Sequence, residues 1–253
     1  MSGTTGDGVD ALAQQRLAGA ERELSRRPKV TLGATGRAFW RYPSPWMIAV
    51  YLLAAVAARL VVGDWSWTDL LAPAVFLALF PVVEWLIHVF ILHWRPRRVA
   101  GVEVDSLLAR EHRRHHADPR DVPLVFIPWR ALLWVIALPG IALPLGVGAL
   151  LGADLPARLS FVVTLAVVLF VYEWTHYVIH SDYRPRTRAY KAIWRNHRLH
   201  HYKNEHYWFS VTTSGTSDRL LGTCPDPVTV ETSPTAKDLH GVRARSERAV
   251  TPG

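Results

Sequence analysis

Polar and apolar residues are mixed along most of this chain, but four stretches are almost free of charge. Leu70–Leu92 holds one acidic residue in 23 positions, Ala131–Leu151 no charge in 21, and Leu159–Ile179 one acid in 21. At a rise of ~1.5 Å per residue, each is long enough to cross a hydrocarbon layer of ~30 Å. Trp46–Val62 is shorter and contains Arg59 near one end, where its stem is expected to snorkel toward the headgroups. The pattern predicts an all-α integral membrane protein with four transmembrane helices, arranged as two hairpins. Three segments follow from it. Residues 1–45 form a polar lead, with Val9–Leu24 as a candidate surface helix limited by Pro28, Pro43 and Pro45. Residues 46–223 form the membrane domain, in which the apolar, Pro-bounded stretch Val122–Arg130 is expected along the interface. Residues 224–253, rich in Pro, Thr and Ser, are expected to be a loose tail.

Charge fixes a direction for these spans. Residues 1–45 carry seven Lys and Arg, residues 94–121 seven, and residues 181–253 twelve, whereas Gly63–Asp69 has none and Gly152–Arg158 one. Short connections rich in Lys and Arg stay in the cytoplasm, so both termini and the central connection are expected inside. A formal net charge of +8 would otherwise suggest a nucleic-acid binder, but its distribution is a topology signal, and nucleic acid is not expected as a partner. Trp40, Trp46, Trp65, Trp67, Trp94 and Trp129 fall near predicted span ends, where amphipathic rings favour the interface. Four lysines against 25 arginines suggest a GC-rich bacterial genome, and with it a bacterial cell membrane. The polar N-terminus lacks the order of a secretory signal. A single cysteine, Cys224, excludes an internal disulfide and a thiolate-rich metal site.

A repeat carries the chemistry. Glu84-Trp85 precedes His88 and His93, then Arg95-Pro96-Arg97, then His112, His115 and His116. Glu173-Trp174 precedes His176 and His180, then Arg184-Pro185-Arg186, then His197, His200 and His201. The copies are offset by 85 to 89 residues and contain ten of the twelve histidines. On an α-helix, positions i, i+3 and i+4 share a face, so each H-x-x-H-H triplet is expected to converge on a common centre. His88 and His93, at i and i+5, diverge by ~140° on an ideal helix, so the span has to end, bulge or tighten there. A lone histidine between membrane helices is as readily a hydrogen-bonding residue as a ligand; ten in two parallel sets are not. Neutral imidazole is a common ligand of Fe, Zn, Cu and Ni, and ten nitrogens exceed what one ion holds, so two metals are expected, with ligands drawn from both repeats. Glu84 and Glu173, one turn before His88 and His176, are candidates to accept the second ring proton of a ligand or else to act as paired structural acids. Glu111 and Asn196 are weaker candidates of the same kind. His206 is expected to be structural, and His240 receives no role.

The ordered clusters H-x4-H, H-x2-HH, H-x3-H and H-x2-HH resemble the fatty acid hydroxylase/sterol desaturase superfamily, and are most similar to its fatty acid 2-hydroxylase branch. The resemblance runs from about Pro81 to Thr223. Gly215-Thr216-Ser217-Asp218-Arg219-Leu220-Leu221-Gly222-Thr223 is similar to the family's closing motif, in which Trp usually stands where this chain has Ser217. The resemblance implies four membrane helices carrying a helical cytosolic cap. It also implies two Fe ions, with Zn an alternative occupant, and O2-dependent hydroxylation or desaturation of a membrane lipid, here a fatty acyl chain. Sterols and carotenoids are the alternative substrates. Some relatives carry a fused cytochrome b5 domain, for which residues 1–45 are too short. Electrons are therefore expected from a separate donor, a ferredoxin or cytochrome b5 with its reductase. Two other classes fit less well. A bis-His haem carrier leaves both H-x-x-H-H clusters unused, and a metal transporter should place its ligands near the bilayer midplane.

Overall fold

In the computed structural model the described residues are 30–241, together with Gln15, Ala18 and Gly19; the surface helix expected within Val9–Leu24 lies outside them except at those three positions. The described chain is mostly helical, with four helices long and apolar enough to cross a membrane: Pro43–Val62, Trp67–Leu92, Val122–Leu150 and Leu155–His180. A short helix, α1 (Leu32–Phe39), precedes the first span, α2 (Pro43–Val62). Pro43 and Pro45 lie in the opening turn of α2, where a missing N–H costs nothing, so the span begins ahead of Trp46. The second span opens with a capping box, in which the Ser66 hydroxyl and Asp69 carboxylate satisfy each other's backbone. It continues as α3 (Leu71–Leu86) and ends in a π-helical turn, Ile87–Leu92. Leu53, Leu60, Val75, Leu79, Leu133 and Val147 are among many apolar side chains left exposed on these helices, as lipid-facing surfaces must be.

Beyond the second span comes a small antiparallel hairpin, β1 (Arg97–Val99) with β2 (Val102–Val104), registered Arg98 to Glu103. Ala100 and Gly101 both have positive φ at its tight turn. It is the one sheet among the described residues of a chain read as all-α. Then follow α4 (Leu107–Ala117), the four-residue α5 (Val122–Val125), and the third span: α6 (Trp129–Val135), a π-helical stretch Ile136–Ala142, and α7 (Leu143–Leu150). Val122–Arg130 does not simply lie along the interface. Val125 and Phe126 are buried in a cluster with Phe39, Tyr177 and Val178, which draws the start of this segment into the protein. The fourth span, α8 (Leu155–His180), is the central pillar of the fold. Beside it, Tyr51 and Ala55 of α2 pack on Val162 and Ala166, small residues that allow the two backbones to approach. Pro144 has no N–H to offer Gly140 O four residues earlier, and the Tyr51 hydroxyl donates to that carbonyl at 2.7 Å.

After α8 come α9 (Arg188–Tyr202), α10 (Thr216–Leu220) and a single 3-10 turn, Leu239–Gly241. The expectation of a loose tail from residue 224 does not hold as far as residue 241: Val230, Ala236 and Leu239 are buried. Apolar side chains spaced along an otherwise polar segment are enough to fasten it.

Arg59 does not snorkel. It is buried, and its guanidinium lies 2.5 Å from the equally buried Asp69. It also donates to Ser160 Oγ at 2.8 Å and to Gly63 O, and stacks 3.7 Å above the Trp65 ring. At a span end with little water, neutralising the charge locally is cheaper than extending the stem. This cluster ties the first, second and fourth spans together at the end away from the histidines. Removing one partner from a buried pair costs about 3–5 kcal/mol because the other charge is left uncompensated. Arg59→Leu is therefore expected to lower the thermal midpoint in detergent strongly, and Arg59→Leu with Asp69→Leu to recover much of the loss; equal destabilisation by both variants would remove the pair from this role.

Candidate metal centre

Two helices and two span ends bring the histidines together. Ser106 caps α4 by accepting from Ala109 N at 3.0 Å, and Thr187 caps α9 by accepting from Tyr190 N at 3.2 Å. Arg113 locks α4 against the end of the second span, donating to Asp105 at 2.5 Å and to Trp94 O at 3.1 Å. The π-helical turn resolves the awkward spacing of the second span. His93 N donates to His88 O at 3.0 Å, an i→i+5 bond that stacks these two residues as an α-helix stacks i and i+4.

All ten repeat histidines gather in two sets. His88, His93, His112, His116 and His200 form one; His115, His176, His180, His197 and His201 form the other; within each set the candidate ligand nitrogens lie within 4.8 Å of one another. Neither triplet converges on a single point, as the i, i+3, i+4 rule alone suggested. Successive residues of an α-helix diverge by about 100°, so adjacent histidines face different ways. His112 and His116 serve the first set while His115 reaches the second, and His197 and His201 serve the second while His200 reaches the first. The sets adjoin: the rings of His116 and His201, one from each, have centroids 4.2 Å apart.

The outer nitrogens explain how the rings are aimed. Nδ1–H of His88 donates to Phe209 O at 2.6 Å, that of His116 to Ala236 O at 3.1 Å, and that of His176 to Val125 O at 2.9 Å. His180 donates in the same way to Pro119 O at 2.9 Å and His200 to Tyr207 O at 2.8 Å. Each bond fixes the tautomer, leaving a lone pair on Nε2. Nε2 of His88, His93, His112, His115, His116, His176 and His200 is buried without a hydrogen-bond partner. Nε2 of His197 lies 3.0 Å from Nε2 of both His180 and His201. Buried lone pairs converging with nothing to accept from are costly unless a cation takes them, so the residues fit metal ions. Burial, reinforced by neighbouring rings, holds His93, His112, His115, His197, His200 and His201 well below the usual imidazole range, and burial pushes His116 down to about 3. They are neutral at pH 7, the form that ligates.

Glu84 and Glu173 do not accept the ring proton of a histidine. Glu84 accepts from Thr212 N at 2.9 Å. Glu173 accepts from Ile127 N at 3.1 Å and from the Ser44 hydroxyl. Their alternative reading as structural acids fits better, and each pins a segment whose nearby carbonyl, Phe209 O or Val125 O, aims His88 or His176. Asp218 strengthens the first of these segments. It is fully buried and accepts from Phe209 N and Ser210 N, both at 2.9 Å, and from Thr223 Oγ1 at 2.7 Å. Ser217, standing where the related motif has Trp, shares a 2.9 Å hydrogen bond with Ser210 Oγ. Asn196 donates to Ser214 O at 3.3 Å, Glu111 pairs with Arg114, and His206 is exposed beside Glu205. Sequence reasoning left out His240, whose Nε2 lies 2.8 Å from His93 O. It also left out the backbone carbonyls, which no residue type announces.

The model of the family described as fatty acid hydroxylase matches residues 73–223. The chain belongs to the fatty acid hydroxylase family. Among solved structures it is similar to the hydroxylase domain of full-length Scs7p, with a TM-score of 0.55 and 18% identity over 81% of this chain and 70% of that one, a likeness of fold. No curated protein matches it by sequence. With its four spans, this family member is an integral membrane protein and, by family, a lipid hydroxylase.

The neutral, buried rings set a pH response for the metal-free protein. Folded-state pKa values lie below 6.5, so below that pH the unfolded chain binds more protons and stability falls. Denaturant midpoints of metal-free protein are expected to drop steadily as pH is lowered through and below about 6.5, and a flat profile would contradict buried neutral rings. His115→Ala and His200→Ala are expected to impair the set belonging mainly to the opposite repeat, each lowering metal content by one ion while leaving membrane insertion intact, as elemental analysis would report.

Proposed function

We propose that this protein is a di-iron monooxygenase that uses O2 to hydroxylate the hydrocarbon part of a membrane lipid, a fatty acyl chain foremost, with desaturation as the nearest variant. The observation that carries this reading is an apolar cavity of about 320 Å³ between the spans, which reaches His88 of the first set. Phe76, Phe80 and Ile87 of the second span, Leu165 and Leu169 of the fourth, and Tyr51 of the first line it. Such walls give a hydrocarbon chain no hydrogen-bonding alternative and exclude water from the reacting carbon. A lipid tail enters between the helices while its polar head stays at the interface.

Two irons held by the ten histidines would supply the dioxygen activation. The protein's residues orient the ligand rings, keep them neutral, and hold the substrate chain beside one set. Hydroxylation converts a C–H bond, O2, two electrons and two protons into C–OH and water. Desaturation removes two hydrogens and releases both oxygens as water. The electrons come from a separate ferredoxin or from cytochrome b5 with its reductase. We place the metal centre on the cytosolic side, because the Lys- and Arg-rich connections share its side of the four spans. Nitrogen-only sites also accept Zn, so iron loading has to be anaerobic and verified.

The test supplies 18O2 and reductant to iron-loaded protein in lipid vesicles and follows lipids by mass spectrometry. A labelled hydroxyl on an acyl chain is expected, and loss of two hydrogens marks the variant. Labelled sterol or carotenoid with unchanged acyl lipids would reassign the substrate. No change in any of these lipids, with the irons shown to cycle between oxidation states, would end the lipid-oxidation reading.

A further inference from the structure

The segment after Cys224 lies beyond the residues matched by the family model, yet it is fastened across the first histidine set at both ends. At its near end Ser233 N donates to Lys203 O at 2.8 Å, and Asn204 Nδ2 donates to Glu231 O at 3.2 Å. Glu205, just past α9 and buried, accepts from Ser233 Oγ at 2.9 Å and from Thr235 Oγ1 at 2.5 Å. In the middle, fully buried Ala236 presents its carbonyl to His116 Nδ1 at 3.1 Å, and the Lys237 ammonium sits 4.8 Å above the Tyr202 ring. At the far end Leu239 is buried and His240 Nε2 lies 2.8 Å from His93 O. His240 has φ 63°, a conformation non-glycine residues adopt sparingly and keep only where surrounding contacts enforce it.

Two of the five histidines in the first set are thus held from outside by this one segment. The repeat supplies a control. His201 is the counterpart of His116, and its Nδ1 is buried without a hydrogen-bond partner. We infer that residues 231–240 form a strap that is part of the metal centre, positioning His116 and His93 and sealing the first set from water, with Glu205 as its anchor. The inference rests on the reading of the histidine sets as metal sites. It predicts that the two sites differ: the strapped one retains its ion only while the strap is down.

Glu205→Ala removes the anchor without touching a histidine of either set, and Glu205→Gln keeps a carbonyl acceptor in the same place. Ser233→Ala with Thr235→Val cuts the same bonds from the other side, and His240→Ala releases the far end. Each variant is loaded with Zn2+ alone, and release into excess chelator is followed in time. Loss of a partner outside the ligand shell typically weakens metal binding 10–100-fold. Glu205→Ala, the double variant and His240→Ala are therefore expected to release one ion at least about tenfold faster than the intact protein, with the other ion unchanged and Glu205→Gln near the intact protein. In a His176→Ala background the fast phase should persist, and in His88→Ala it should be absent. Equal acceleration of both ions, or of neither, overturns the strap while leaving the metal sites standing. An intact protein that holds no ion overturns the strap and the metal reading together.

Discussion

The structure is organised around the cost of burying ten neutral imidazoles with their lone pairs pointing at one another. Five of the rings have one nitrogen satisfied by a backbone carbonyl and the other turned toward the neighbouring rings, and neither packing nor apolar burial can distinguish the two. Hydrogen bonds from the outer nitrogens do so. The carbonyls of Pro119, Val125, Tyr207, Phe209 and Ala236 come from four separate segments near the span ends; four of them lie in irregular chain and that of Val125 at the end of α5, where no helical N–H consumes it. The loops are therefore as much a part of the centre as the helices that carry the histidines. Buried carboxylates hold those loops in turn: Glu173 beside Val125, Glu84 and Asp218 on either side of Phe209.

The four spans were legible in the sequence because a bilayer demands long uncharged runs, and no soluble alternative explains 21 consecutive uncharged residues at Ala131–Leu151. The ten histidines were legible because they recur in two parallel sets, and the i, i+5 spacing of His88 and His93 pointed to an irregular turn. What could not be read is what depends on direction at short range. That Glu84 reaches Thr212 and not the ring one turn away depends on a loop 128 residues distant. The burial of Arg59 depends on Asp69 folding back from the next span, and an arginine near a span end looks the same in sequence whether it snorkels or pairs. The segment after Cys224 is compositionally a tail; buried Val230, Ala236 and Leu239, with buried Thr232 and Ser233, fasten it among many polar residues, and composition averages them away.

The repeat is a structural two-fold in the ligands but not in their surroundings. Glu84 and Glu173 do equivalent work on equivalent segments. Against that background the differences stand out: the apolar cavity reaches His88 of the first set, while a smaller pocket with Arg120, Asp182 and Arg198 on its walls borders His180 of the second. The first set thus borders an almost wholly apolar wall and the second a mixed wall that carries charge.

The exchange of His115 and His200 between the two sets has a consequence for biosynthesis. A chain emerging N-terminus first presents His88, His93, His112 and His116 together, but the fifth member of their set, His200, arrives only after the third and fourth spans have been inserted and α9 has folded. The second set needs His115 from the earlier repeat and is likewise incomplete until α9 docks. Neither set has all five of its histidines while the membrane domain is half made, so an ion that needs the complete set would load only after insertion is finished. A nascent chain stalled before α9 exposes at most four imidazoles of either set, and the docking of α9 completes both sets at once.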